Sequence, residues 1–165
     1  MKRILLLIFL GCMFVSTLPA ASWYVSPLGT DDLQHGSTPG AGAFQTIPYA
    51  ISRASSGDVI LVAAGTYLTS NILVNKTLTI EGTGLTRESV VIAPAGEDGN
   101  LNTAFDPTAQ NGFIIKAHGV TIRKLTINGR GNNGLTPGKN NFRAGIVTLD
   151  DSQPGGGVWN NLHID

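Results

Sequence analysis

Beyond residue 57 the chain is written in short apolar runs with polar interruptions, and β-branched side chains dominate the runs. Segments 58–63, 72–80, 89–93, 112–116, 120–127, 144–149 and 158–164 each read as a strand bounded by Gly, Asn, Asp or Pro. No helical period separates them, so they are not βαβ units. A different rhythm precedes them. Over 44–56, Phe44, Ile47, Ala50, Ile51 and Ala54 recur at the spacing of one helix face. Thr46 is a candidate N-cap, Pro48 fits the first turn and Gly57 marks the end. Residues 23–26 predict a short strand, and 27–43 a Gly/Pro-rich loop.

One phrase recurs. Leu78-Thr79-Ile80, Leu125-Thr126-Ile127 and Leu162-His163-Ile164 alternate apolar, polar and apolar. Alternation sends the Leu and Ile to one face and the Thr or His to the other. Segments 94–111, 130–142 and 150–157 read as insertions. Removing them leaves a period of roughly 22–30 residues, the scale of a solenoid repeat. Each phrase then predicts one coil of an all-β parallel solenoid. Leu78, Leu125 and Leu162 would form one inner column, and Ile80, Ile127 and Ile164 a second. The glycine after the first two phrases would turn a corner at positive φ. Glu81, Asn128 and Asp165 would line that corner. The helix is the natural lid for the first coil. With the third phrase at residue 165, the solenoid is expected to be cut short after about three coils.

Lys2 and Arg3 precede an apolar run over 4–18, and small residues follow at Ala20, Ala21 and Ser22. That is the anatomy of a secretory signal peptide, assigned to 1–22. The run is shorter than the roughly 20 residues that span a bilayer, so no membrane span is expected after its removal. Phe9 and Leu10 are poor neighbours for a lipidated Cys12. The expected organisation is 1–22 leader, 23–57 strand, loop and capping helix, and 58–165 solenoid coils. The leader takes two of 11 basic residues, leaving a net charge of −2 against 11 acidic ones. No basic surface points to nucleic acid. Cys12 is the sole cysteine, so the secreted portion relies on packing rather than disulfides.

Tyr24-Val25-Ser26-Pro27, the amphipathic helix, Gly57-Asp58 opening a strand and Ala64-Gly65-Thr66-Tyr67 after it occur in one order. Over residues 24–84 this run resembles the N-terminal region of secreted right-handed parallel β-helix proteins of the pectate-lyase-like superfamily. The later coils resemble it more loosely. Ala64 stands where that family usually has Pro. The resemblance implies a right-handed β-helix and an active groove along one strand face of later coils. It implies a polysaccharide or cell-surface glycan as partner, and a secreted location: extracellular, cell-surface or periplasmic.

By that resemblance, Asp150 and Asp151 could serve as acid and base of a hydrolase. By residue chemistry they read as turn-formers opening the loop at 150–157. No carboxylate stands one coil earlier, at Lys116-Ala117. In the lyases Ca²⁺ acidifies a uronate and an Arg or Lys removes its proton, which nominates Arg143, Lys139 and Lys116. Glu97, Asp98, Asp106, Asp150 and Asp151 show no recognised calcium spacing and read first as solvated surface charge. Asp31-Asp32 suits a turn. His35, His118 and His163 are scattered and show no zinc spacing, so no metal ligands are assigned. Trp159 reads as core, or as a platform for a sugar ring. The candidate substrate contacts are therefore Asp150, Asp151, Arg143 and Trp159, with no catalytic residue assigned. The two functions expected are part of a polysaccharide lyase or glycoside hydrolase, and a non-catalytic glycan-binding or adhesive shaft.

Overall fold

The computed structural model describes residues 19–95, 110–129, 142, 144–148 and 162–165. Among these, one α-helix, α1 (Ile47–Arg53), and two short 3-10 turns accompany eleven strands. They are β1 (Ser22–Val25), β2 (Val59–Val62), β3 (Gly65–Leu68), β4 (Ile72–Val74), β5 (Thr79–Gly82), β6 (Val90–Ala93), β7 (Phe113–Ile115), β8 (Thr121–Arg123), β9 (Thr126–Ile127), β10 (Ile146–Thr148) and β11 (His163–Ile164). All their pairings are parallel. The first sheet runs β1-β2-β5-β8-β11, the second β3-β6-β9 and the third β4-β7-β10. From β2 onward, consecutive strands therefore visit the three sheets in rotation. This parallel, mostly β architecture is compatible with a parallel β-solenoid.

Alternation along each strand sets what faces inward. The first sheet contributes Ile60, Ile80 and Ile122, aligned by register. The second contributes Tyr67, Ile92 and Ile127, and the third Ile72, Phe113 and Ile146. Ile60, Ile72, Ile80, Ile92 and Phe113 are wholly buried in one continuous core. Burying such a side chain stabilises the fold by roughly 1.5–3 kcal/mol, so these columns dominate its energetics.

The phrase at 125–127 does not sit where its sequence twin predicts. Ile164 pairs with Ile122, and Ile122 with Ile80. Ile127 pairs instead with Ile92 in the second sheet. Val120 takes the place expected for Leu125: the Thr121 N–H donates to the Leu78 carbonyl, and the His163 N–H to that of Val120. The cause is Lys124, whose φ of 55° is left-handed and ends β8. The chain turns there, so one apparent strand over 120–127 becomes β8 and β9 on different faces. Segment 72–80 likewise divides into β4 and β5, and β3 is a further strand at Gly65–Leu68.

The corner glycines also differ from expectation. Neither Gly82 nor Gly129 has positive φ; the left-handed non-glycine corners are Asn71 (φ 54°) and Lys124. Gly82 is needed for proximity, because a Cβ there would collide with the Lys124 carbonyl oxygen of the next coil. The expected polar row is broken too. Glu81 aligns with Arg123, and Asn128 lies beside the second sheet, donating its N–H to the Ile92 carbonyl.

The lid begins as expected and ends earlier. The Thr46 Oγ1 accepts from the Tyr49 N–H at 3.3 Å. Ile47, Ala50 and Ile51 are the buried residues of α1. Arg53 is its last residue, four positions before Gly57. The Lys76 Nζ donates to the carbonyls of Ile51 (2.8 Å), Ser52 (3.3 Å) and Ala54 (2.7 Å), satisfying groups that a helix end leaves open. Phe44 covers the outer edge of β1: its N–H donates to the Tyr24 carbonyl and its own carbonyl accepts from Ser26. Its ring stacks on Trp23 at 5.6 Å and meets Tyr49 edge-on at 5.0 Å.

Gly82→Ala tests the close coil-to-coil approach. It should destabilise the fold by about 1–3 kcal/mol in denaturant unfolding, through forced displacement of Lys124. An unchanged midpoint would show that no such contact exists.

Candidate functional site

Two outward rows run across the first sheet. One aligns Val59, Thr79, Thr121 and His163; the other aligns Leu61, Glu81 and Arg123. The second row carries a charge cluster. One Glu81 carboxylate oxygen accepts from Arg123 Nη2 at 2.6 Å and Nε at 3.0 Å, and the other from Lys124 Nζ at 2.7 Å. The left-handed corner at Lys124 lets two successive cations reach one carboxylate. The Lys124 and Arg123 donors hold the Glu81 carboxyl below its ordinary pKa, against burial that raises it. Glu81 is the most buried of the three, with 15% of its side chain exposed, against 42% for Arg123 and 63% for Lys124. The cations thus present the outer surface of the cluster.

Asp58 forms a second cluster at the lid. It is buried, with 6% of its surface exposed. Its carboxylate accepts from the Ala21 N–H (2.9 Å), Trp23 Nε1–H (2.9 Å) and Ser55 N–H (2.8 Å). Burial alone raises its pKa, but the Ser55, Trp23 and Ala21 donors and the Lys76 charge bring it below the ordinary value.

A cleft of about 250 Å³ opens between the start of α1 and β3. Pro27, Pro48, Tyr67 and Leu68 give it apolar walls, and Gln45, Thr66 and Thr69 give it polar groups. Its volume is below the roughly 300–1,000 Å³ of drug-sized ligand sites. The Tyr67 hydroxyl donates to the Ala63 carbonyl at 2.9 Å, and burial pushes its pKa well up. Tyr67 is therefore a wall and not a base.

The sequence-derived substrate candidates Asp150, Asp151, Arg143 and Trp159 lie outside the described residues, as do Lys139, Glu97, Asp98 and Asp106. Lys116 follows β7, its N–H donating to the Val74 carbonyl. His163 is exposed on β11, and the His118 carbonyl accepts from Thr77 Oγ1. Asp31 accepts from the N–H groups of Gln45 and Thr46 and from the Thr46 hydroxyl, while Asp32 accepts from the N–H groups of Gln34 and His35 and pairs with the His35 ring. Both serve turns. Among the described residues no group of three or more His, Cys, Asp or Glu is placed to hold a metal, and no helix is long and apolar enough to cross a membrane.

The Glu81–Arg123–Lys124 cluster escaped the sequence reading, because 42 residues separate Glu81 from Arg123 and only coil register joins them. No family model matches the chain, and no curated protein or solved structure matches it.

Glu81 sets an acid limit on stability. Its folded pKa is depressed, so its contribution is present above the ordinary glutamate range and is lost as pH falls below about 4.3. Glu81→Gln should lower stability at pH 7 by about 1 kcal/mol or less, given the exposed cations. It should also flatten the acid limb of a thermal-denaturation profile. An acid limb as steep as the parent's would show that the cluster contributes nothing.

Proposed function

We propose that the chain belongs to a secreted right-handed parallel β-helix protein of the pectate-lyase-like kind, acting on or binding extracellular polysaccharide. The observation that carries the reading is the rotation of strands among three parallel sheets behind a capping helix. A second feature supports it. Segments 94–111 and 130–142 both join the second sheet to the third, β6 to β7 and β9 to β10, one coil apart. Extra sequence thus enters at the same sheet-to-sheet connection in two adjacent coils, the recurrence that suits an extended, repetitive glycan. Segment 150–157 joins the third sheet to the first at the next corner.

A non-catalytic glycan-binding shaft is the second reading, and the carboxylates favour it for this portion. Asp31, Asp32 and Asp58 are committed to backbone donors, Glu81 to two cations and Glu88 to Arg87. A general acid or base needs a carboxyl free to reach substrate. None of these five described carboxylates is so placed, so the coils that carry them are expected to bind rather than cleave.

Affinity electrophoresis of the purified chain through gels containing neutral and acidic polysaccharides tests this. Retardation by at least one polysaccharide is expected, with no unsaturated product or new reducing ends from polygalacturonate. Free migration through all of them would overturn the glycan reading. Turnover of polygalacturonate would overturn the binding-only role.

A further inference from the structure

We propose that the chain is cut between Ala20 and Ala21, and that the Asp58 carboxylate is the socket for the N-terminal ammonium so released. The proposal rests on the secretory reading of the leader. Ala20, Ala21 and Ser22 are all small enough to stand just before the cut bond. A small residue also stands three positions before the bond only for the cut after Ser22, with Leu18 and Pro19 there for the other two, so sequence alone favours Ser22 and geometry must argue for Ala20. The structure separates these three bonds. Ala21 is already bound on both sides of its peptide unit: its N–H donates to Asp58 Oδ1 at 2.9 Å, and its carbonyl accepts from the Val59 N–H at 2.9 Å. Ser22 is the first residue of β1 and pairs with Val59. A cut after Ala21 removes the donor that Asp58 holds, and the cut after Ser22 assigned from sequence removes a paired strand residue as well. A cut after Ala20 loses neither.

The chemistry also improves with that cut. Hydrolysis adds one water: its hydroxyl goes to the Ala20 carbonyl carbon, and the Ala21 nitrogen leaves as an amine that takes up a proton. A neutral amide donor facing a buried carboxylate becomes a cation with three N–H donors. The amide's bond to the carboxylate is already charge-assisted; the cut adds the direct attraction between opposite charges and two further donors. Pro19 and Ala20 line the cleft of about 470 Å³ beside Asp58, so their departure leaves the ammonium room and water. Trp23 and Ser55 keep the carboxylate aimed at Ala21. Lys76 is the charged side chain that acts on Asp58 from another element, and it is present in both forms compared below.

Intact mass and N-terminal sequencing of the chain exported by a secreting host is the first test. Ala21 as first residue supports the proposal. Any other first residue overturns it and leaves secretion standing, whereas an uncut chain overturns both. The second test compares thermal stability across pH 6–10 for two purified forms, one beginning at Ala21 and one at Ala20. An ammonium held by Asp58 has a raised pKa. Its contribution is full below about 8, the ordinary α-amino value, and is lost as pH rises through the raised one. The Ala21 form should therefore lose stability relative to the Ala20 form above that pH, and Asp58→Asn should abolish the difference. Parallel profiles for the two forms would sink the socket, even if Asp58→Asn fails to fold.

Discussion

An edge strand of a parallel sheet holds out a row of backbone N–H and C=O groups, and the interior behind it is apolar; both must be covered where the stack begins. Here Phe44 serves both needs, with α1 over the interior and Gly36 on the edge beside it. The Phe44 backbone bonds to Tyr24 and Ser26 along the free edge of β1, and its ring lies between Trp23 and Tyr49 over the first coil. The loop at 27–43 returns the chain to that edge, and Gly36 accepts from the Tyr24 N–H beside it. A Cβ on Gly36 would strike the Phe44 ring, so the loop has glycine there because the ring is there. Everything above this plug can stack in register because nothing needs to pair below it.

The mostly-β character with a single helix at the start was legible because its signals are local. β-branched runs, the amphipathic stretch from Phe44 to Ala54 and the missing helical period after Gly57 are each visible within a dozen residues. The coil register was not legible, and the reason is one residue. Leu125-Thr126-Ile127 matches Leu78-Thr79-Ile80 letter for letter, yet a left-handed Lys124 sends it to another sheet. Lysine carries no turn signal, so the pattern ran straight through the corner. The true counterpart, Val120-Thr121-Ile122, matches less well by letter and equally well by shape. Inner columns ask for apolar bulk at alternate positions, and Val satisfies that as readily as Leu.

The chemistry of the surface was harder to foresee for a different reason. By sequence Glu81 is a corner residue, while Arg123 and Lys124 fall inside the apparent strand at 120–127. Only a rung-to-rung spacing measured in whole coils brings them within 3 Å. Asp58 read simply as the start of a strand, although its carboxylate gathers donors from both sides of α1 in sequence. In a stacked architecture such clusters arise between coils, where no linear motif records them.

Lys76 stands between β4 and β5, one coil away from the helix whose last carbonyls it holds. That reach has a mechanical meaning. A lid fastened only to the strand beneath it can swing open alone. A lid latched to the next storey must release that latch as well, so lifting α1 breaks the three Lys76 hydrogen bonds in addition to its own apolar packing.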